Sequence, residues 1–239
     1  MPALKDLDVA ILCGGLGKRL RKEVGETQKT MISFDGEPFL NLQLEHLAKQ
    51  GLKRIILCTG HQAQEVEKFY TTNKFGLDIV FSRENEPLGT GGAIKNTKGL
   101  IQNNPFFALN GDCFCPIDYR KFLDFYYQKQ AVMALVLSQM KDLKDFGTIS
   151  VDEAFRIVSF NEKTDQRNAS VVYGNAGIYC FNKDVFSLMP KENSFSIEYD
   201  FFAKIPVKEF FGFVVGQEFI DIGTPDRLEH ARQMLRKGE

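Results

Sequence analysis

The chain has 239 residues, 30 of them basic and 31 acidic, with 44% hydrophobic and 26% charged side chains. That balance excludes the basic footprint of a nucleic-acid or anionic-membrane binder, and no run of about 18 apolar residues offers a membrane span. The cysteines number five, with Cys13 and Cys58 inside apolar runs; reduced thiols of a cytoplasmic protein fit them better than a disulfide framework or a thiolate metal site.

Residues 9–13 read as a buried strand, followed by a glycine-rich turn. A helical stripe over 39–50 stops at Gly51. Next come a strand at 54–58, a helix at 62–70 and a strand at 77–81. A glycine-rich segment then opens a helix reaching residue 100, and a strand at 106–109 runs into Asn110-Gly111-Asp112. Such alternation predicts an α/β fold, a mostly parallel sheet with helices on both faces. The second half changes character. Strands are expected at 131–137, 147–151, 157–160 and 171–181 with short connections, and helices at 184–189, 197–203 and 225–236. These add antiparallel strands to make a mixed sheet. No linker separates the halves, so one domain with two lobes is expected. In open α/β sheets ligands sit beyond the carboxyl ends of strands, and the residues with chemical potential follow strands here.

Gly14-Gly15-Leu16-Gly17-Lys18-Arg19-Leu20 follows the first strand. Glycines let backbone amides approach an anion, and Lys18, Arg19, Arg21, Lys22 and the later Lys29 supply cationic donors. This is a polyphosphate cradle or, on spacing alone, a tight turn with a solvated basic start; it matches neither the dinucleotide nor the P-loop pattern. Glu84-Asn85-Glu86-Pro87-Leu88-Gly89-Thr90-Gly91-Gly92 follows the third strand. Its glycines admit a flat base and its carboxylate can accept from ring and amino N–H groups; as a plain loop and helix start it needs no ligand. Asp112 ends the fourth strand. Asp221, in Ile220-Asp221-Ile222-Gly223-Thr224-Pro225, repeats the arrangement, and the two carboxylates are candidates to share one Mg²⁺. Glu162-Lys163, Asn175-Ala176-Gly177 and Glu198 suit a sugar and its phosphate, though singly each reads as surface charge or turn chemistry.

Taken in order over about residues 8–236, these segments resemble the nucleotidyltransferase family that makes nucleotide sugars from nucleoside triphosphates and sugar 1-phosphates. The motifs behind the likeness are Gly14 to Leu20, Pro87 to Gly92, Asn110 to Asp112, Glu162-Lys163, Asn175 to Gly177 and Ile220 to Pro225. The resemblance implies a three-layer α/β/α Rossmann-like nucleotidyltransferase domain over 1–239, its nucleotide-binding lobe about 1–115 and its sugar-phosphate-binding lobe about 116–239. It implies in-line attack of the sugar phosphate on the α-phosphorus. Mg²⁺ would lie on Asp112 and Asp221, and Arg19 and Lys29 would face the departing pyrophosphate. Leu12, Gly14, Gly15, Gly17, Lys18, Glu84, Pro87, Gly89, Thr90, Gly91 and Gly111 would bind the nucleotide. Gly147, Glu162, Lys163, Asn175, Gly177 and Glu198 would bind the sugar phosphate.

The motif wording is most similar to guanylyltransferases for heptose or mannose 1-phosphate. A carboxylate at Glu84 suits the N1–H and N2–H₂ donors of guanine; uridylyl, thymidylyl and cytidylyl transfer are the alternatives. One departure stands out: the family's Pro-Lys-Pro-Met is Gln28-Lys29-Thr30-Met31 here, which puts the placement of Lys29 in question. A non-catalytic nucleotide-sugar-binding subunit would lose Arg19 or a metal carboxylate, and all are kept. A glycosyltransferase of related topology would carry Asp-x-Asp where Asp112-Cys113-Phe114 stands. The chain leaves no room after residue 236 for the left-handed β-helix of longer relatives, which predicts a single activity. The phenylalanine content, 22 with no Trp, is compatible with a homo-oligomer interface.

Overall fold

The computed structural model describes residues 1–15, 17, 19–72, 75–139, 148–161, 173–205, 208–217 and 219–236. In chain order the first half comprises β1 (Asp8–Leu12), α1 (Arg21–Val24), the hairpin β2 (Ser33–Phe34) and β3 (Glu37–Pro38), α2 (Leu40–Lys49), β4 (Arg54–Thr59), α3 (Ala63–Thr72), β5 (Asp78–Arg83), α4 (Gly89–Asn96) and β6 (Phe106–Asn110). There follow β7 (Cys113–Phe114), α5 (Tyr119–Gln128), β8 (Met133–Gln139), β9 (Thr148–Val151), β10 (Ile157–Asn161), β11 (Tyr173–Phe181), α6 (Val185–Leu188), a π-helical turn at Ile197–Phe202, β12 (Phe210–Val215), β13 (Ile220–Asp221) and α7 (Pro225–Arg236).

β1 lies inside the main sheet, parallel to β4 on one side and to β6 on the other, and β5 extends the sheet beyond β4. Val9 and Ile11 enter the core under α2, α3 and α5, whereas Ala10 enters the core under α4, α6 and the π-helical turn. Both faces are covered, which is why the strand reads as an unbroken apolar run rather than an alternation. α2 buries Leu40, Leu44 and Leu47 at i, i+4 and i+7, each contributing roughly 1.5–3 kcal/mol. It stops where expected: Gly51 takes φ +89°, its N–H donates to the Ala48 carbonyl at 3.0 Å and that of Leu52 to the Leu47 carbonyl at 3.0 Å. Those paired bonds are a Schellman stop.

The second half joins the same sheet through antiparallel pairing of β11 with β6, β8 and β9, and of β9 with β10. Between Asn175 and Tyr179 β11 bulges: it advances four residues while β8 advances two, from Leu137 to Leu135. β12 was not among the expected strands. It runs parallel to β8 with Phe210, Phe211 and Val215 buried, so it lacks the alternation of a half-buried strand, and Gly212 interrupts its apolar run where Leu137 and Val151 press close. The expected 147–151 and 171–181 strands are described from Thr148 and from Tyr173. No described helix is long and apolar enough to cross a membrane.

A third, smaller core bears most directly on the site. Leu20, Ile32, Phe39, Ile220, Ile222, Leu228 and Ala231 pack together, binding the exit of the glycine turn and the loop after Lys29 to β13 and α7.

Asp8, at the start of β1, is fully buried. It pairs with Arg54 Nη1 at 3.1 Å and accepts the backbone N–H groups of Gln102 at 2.6 Å and Asn103 at 2.8 Å. Asp8→Ala removes the acceptor these donors share, while Arg54 keeps the Leu100 carbonyl at 3.1 Å, and is expected to lower stability by about 1–3 kcal/mol, read as a shifted urea midpoint.

Candidate active site

β1 ends at the glycine turn because its neighbours capture the chain there: Cys13 N–H donates to the Cys58 carbonyl at 2.8 Å and His61 N–H to the Gly14 carbonyl at 3.2 Å. Gly14 leaves room for Glu84: a Cβ there would lie 2.6 Å from Glu84 Oε1 and displace that carboxylate. Gly15 is exposed with open space around its Cα. Gly17 adopts φ +56°, and its carbonyl accepts from Leu20 N–H at 2.9 Å, turning the chain into the small core. Arg19 is exposed on this turn.

A cleft of about 330 Å³ opens beside the turn. Of the expected residues, Leu12, Gly14, Gly15, Lys29, Glu84, Pro87, Gly89, Thr90 and Asp112 line it, joined by Gln28, Thr30, Ala93 and Asn110. Glu84 Oε2 accepts from Leu88 N–H at 3.0 Å, and burial pushes the Glu84 carboxyl above its ordinary value, partly offset by that bond. Two glycines expected at the nucleotide face inward instead. Gly91 is buried beneath the Phe195 ring, and its N–H donates to the Phe195 carbonyl at 3.0 Å. Gly111 donates to the Leu12 carbonyl at 3.0 Å, and a Cβ there would meet the Thr30 methyl at 2.9 Å. The missing side chains let the Phe195 ring lie on Gly91 and the Leu12 backbone approach Gly111.

The two aspartates come together through a short pairing absent from the expected elements. β13 runs antiparallel to β7 with Asp221 opposite Cys113, and Ile222 N–H donates to the Asp112 carbonyl at 3.0 Å. Lys29 forms an ion pair with Asp112, and Arg227 Nη1 donates to Asp221 Oδ2 at 2.8 Å. Burial alone would raise the Asp112 carboxyl, but the Lys29 ammonium, by charge and hydrogen bond, and the Cys113 thiol outweigh it and hold it below the usual range. Asp221 moves the other way. Burial and the Asp112 charge lift it more than Arg227, Lys29 and the Gly223 N–H lower it. One carboxylate kept ionised beside a second is a donor set that fits Mg²⁺, which takes one or two carboxylates and completes its shell with phosphate oxygens and water. Among the described residues no third His, Cys, Asp or Glu joins them.

Asn175, Gly177 and Glu198 gather around Tyr179, a residue the sequence did not single out. Asn175 Nδ2 donates to the Tyr179 hydroxyl at 2.9 Å and Gly177 N–H to Asn175 Oδ1 at 2.9 Å. Glu198 accepts from Tyr179 at 3.4 Å, Ser196 at 2.9 Å and Thr90 at 2.8 Å. Thr90 thus connects the cleft to this network. Burial first, and then the Glu198 charge, push the Tyr179 hydroxyl far above its ordinary value, so it stays a donor. Lys18, Gly147, Glu162 and Lys163 lie outside the described residues.

Gln43 and Arg227 also escaped the sequence reading, and Gln28 entered it only as a departure from the family pattern. Gln43, on α2, donates to the carbonyls of Asn110, at 2.8 Å, and Cys113, clamping both ends of the turn that carries Asp112. A buried amide bonded to backbone leaves no periodicity or motif to find. Arg227, in the first turn of α7, reads by itself as surface charge.

The family model described as nucleotidyl transferase matches residues 9–238. The chain belongs to the nucleotidyltransferase family. It is 36% identical over 231 residues to the D-glycero-alpha-D-manno-heptose 1-phosphate guanylyltransferase of Aneurinibacillus thermoaerophilus, covering 96% of this chain and 99% of that one. The protein of that name from Campylobacter jejuni is 34% identical, with 94% and 98% covered. Among solved structures, HddC from Yersinia pseudotuberculosis complexed with GMP-PN superposes with a TM-score of 0.83 at 34% identity, covering 96% of this chain and 99% of that one.

The raised Glu84 carboxyl has a sign that can be checked in this nucleotidyltransferase. The folded state holds the Glu84 proton to higher pH than the unfolded state, so its contribution to stability falls as pH rises through the folded value. Relative to Glu84→Gln, the wild type is therefore expected to lose stability from acid toward neutral pH. Paired urea midpoints across that range measure the difference; a constant gap contradicts it.

Proposed function

We propose that this nucleotidyltransferase moves a guanylyl group from GTP to a heptose or mannose 1-phosphate, releasing pyrophosphate, with Mg²⁺ as the metal. The observation that carries the reading is the β7–β13 pairing, which sets Asp221 beside Asp112 and Lys29 at the edge of the cleft. The guanylyl assignment is supported by the names of the two relatives and by the GMP-PN complex of the structural neighbour.

In the proposed reaction a sugar-phosphate oxygen attacks the α-phosphorus. The bond from that phosphorus to the bridging oxygen breaks, and the electron pair leaves on pyrophosphate. No side chain becomes covalently attached, so rate comes from orientation and charge neutralisation. The open backbone at Gly15 would admit the triphosphate close to β1, while Arg19 and Lys29 would supply positive charge toward the departing pyrophosphate. Asp112 and Asp221 would hold Mg²⁺, which supplies Lewis-acid stabilisation of phosphoryl charge when bound. Lys29 and Arg227, which neutralise these carboxylates here, would with the metal bound be available to phosphate oxygens.

Glu84 Oε1, facing Gly14 with Oε2 engaged by Leu88, would accept from guanine. Asn175, Gly177 and Glu198, with Glu162, Lys163 and Gly147, would orient the sugar phosphate, and Lys18 would add to the phosphate site. The five buried free thiols support a reducing, cytoplasmic setting.

Asp112→Asn removes the ionised carboxylate and is expected to lower pyrophosphate release at least about 100-fold with the fold intact by circular dichroism. Retained turnover would sink the metal assignment. Separately, a pyrophosphate-release screen of nucleoside triphosphates against heptose and mannose 1-phosphates should favour GTP; preference for another base would overturn the guanylyl reading alone.

A further inference from the structure

We infer that Gln28 is a positioning residue for Lys29, acting with Thr30 as a hydrogen-bonded clasp. The Gln28 side chain is 1% exposed, and both ends of its amide are used. Nε2 donates to the carbonyl of Cys13, the first residue past β1. Oε1 accepts from Thr30 N–H at 2.6 Å and from the Thr30 hydroxyl at 2.6 Å. These bonds bracket one residue, Lys29. Behind it the chain is tied to the end of β1. Ahead of it the Thr30 methyl lies against Gly111, the residue before Asp112. The turn between is a single 3₁₀ turn, closed by Met31 N–H to the Gln28 carbonyl at 2.9 Å and Ile32 N–H to the Lys29 carbonyl at 3.2 Å. So short a turn has few bonds of its own to resist rotation. The Lys29 backbone is oriented by its neighbours, and its side chain reaches Asp112 from a fixed base.

A glutamine serving only to fill the core would not need its amide bonds directed to the end of β1 and to the residue that follows Lys29. Gln28 and Thr30 are also the positions at which this chain departs from Pro-Lys-Pro-Met. Gln28 takes φ −60°, the angle a proline ring would impose, and hydrogen bonds here do the work of restricting the turn. The inference rests on the functional reading above in giving Lys29 a part in turnover.

Gln28→Met keeps the buried volume and removes the bonds. It is expected to lower kcat about 10- to 100-fold with KM for the triphosphate changed less than about three-fold. The cycle with Lys29→Ala identifies the route: once Lys29 is gone, Gln28→Met should cost less than about two-fold more, because contacts acting as one unit are not additive. Additive losses, or an unchanged kcat, would overturn the inference. Thr30→Val retains the N–H and the volume, should show a smaller loss in the same cycle, and serves if Gln28→Met does not fold. Crystal structures of both single variants give a readout independent of activity: displacement of Lys29 from Asp112 supports the clasp, an unaltered pair refutes it. Failure of the functional reading would show instead as a wild type releasing no pyrophosphate.

Discussion

The carboxyl end of β1 is the point from which the cleft is hung. Within three residues, Leu12 accepts from Gly111, Cys13 bonds to Cys58 and accepts from Gln28, and Gly14 accepts from His61. Backbone groups at the end of a buried strand must find partners or lose about the worth of a hydrogen bond each. Here the partners are β4 itself, the loops after β4 and β6, and the turn that carries Lys29. The demand of one strand end for hydrogen bonds therefore brings the glycine turn, the Lys29 turn and the Asp112 turn to a common place, before any ligand enters.

The charges gathered there are arranged as two ion pairs, Lys29 with Asp112 and Arg227 with Asp221. Two partly buried carboxylates, one in the turn before β7 and one in β13, would repel if left alone, and each cation reduces that cost. The arrangement differs from a purely structural salt bridge because Lys29 and Asp112 line the cleft beside the open Gly15. The third core, under α7, supplies the rigidity: Ile220 and Ile222 flank Asp221 and pack with Leu20 from the glycine turn. Apolar packing fixes the distance, and electrostatics fixes the charge state.

Much of the fold was legible because its strands are buried on both faces and its helices are amphipathic, so Val9 to Cys13 and the stripe of α2 stand out. β7 and β13 were not, since two-residue pairings carry no pattern; only the repeated apolar-Asp wording at Asp112 and Asp221 hinted that they meet. Glycines were the least faithful guide. Gly14 and Gly15 belong to the cleft, but Gly91 and Gly111 make room for the protein's own Phe195 and Leu12. A sequence reports that a side chain is missing, not which surface takes up the space. Tyr179 was invisible for a related reason, and the bonds of Gln28 were too, although the residue itself stood out as a departure: their polar atoms are satisfied inside the fold, and nothing in their spacing reports the partners.

The bulge in β11 has a parity. It adds two residues relative to β8, not one, so the strand resumes on the far side with its faces unexchanged. Tyr173 before it and Tyr179 and Phe181 after it pack on the same core, while Ala176, Ile178 and Cys180 pack on the other. An odd insertion would have turned every later side chain of β11 over and sent Tyr179 away from Glu198. An even one shortens the span between Asn175 and Tyr179 while leaving the sheet's two cores as they were. Evolution could thus gather polar groups in the middle of a buried strand without renegotiating the hydrophobic pattern on either side of it.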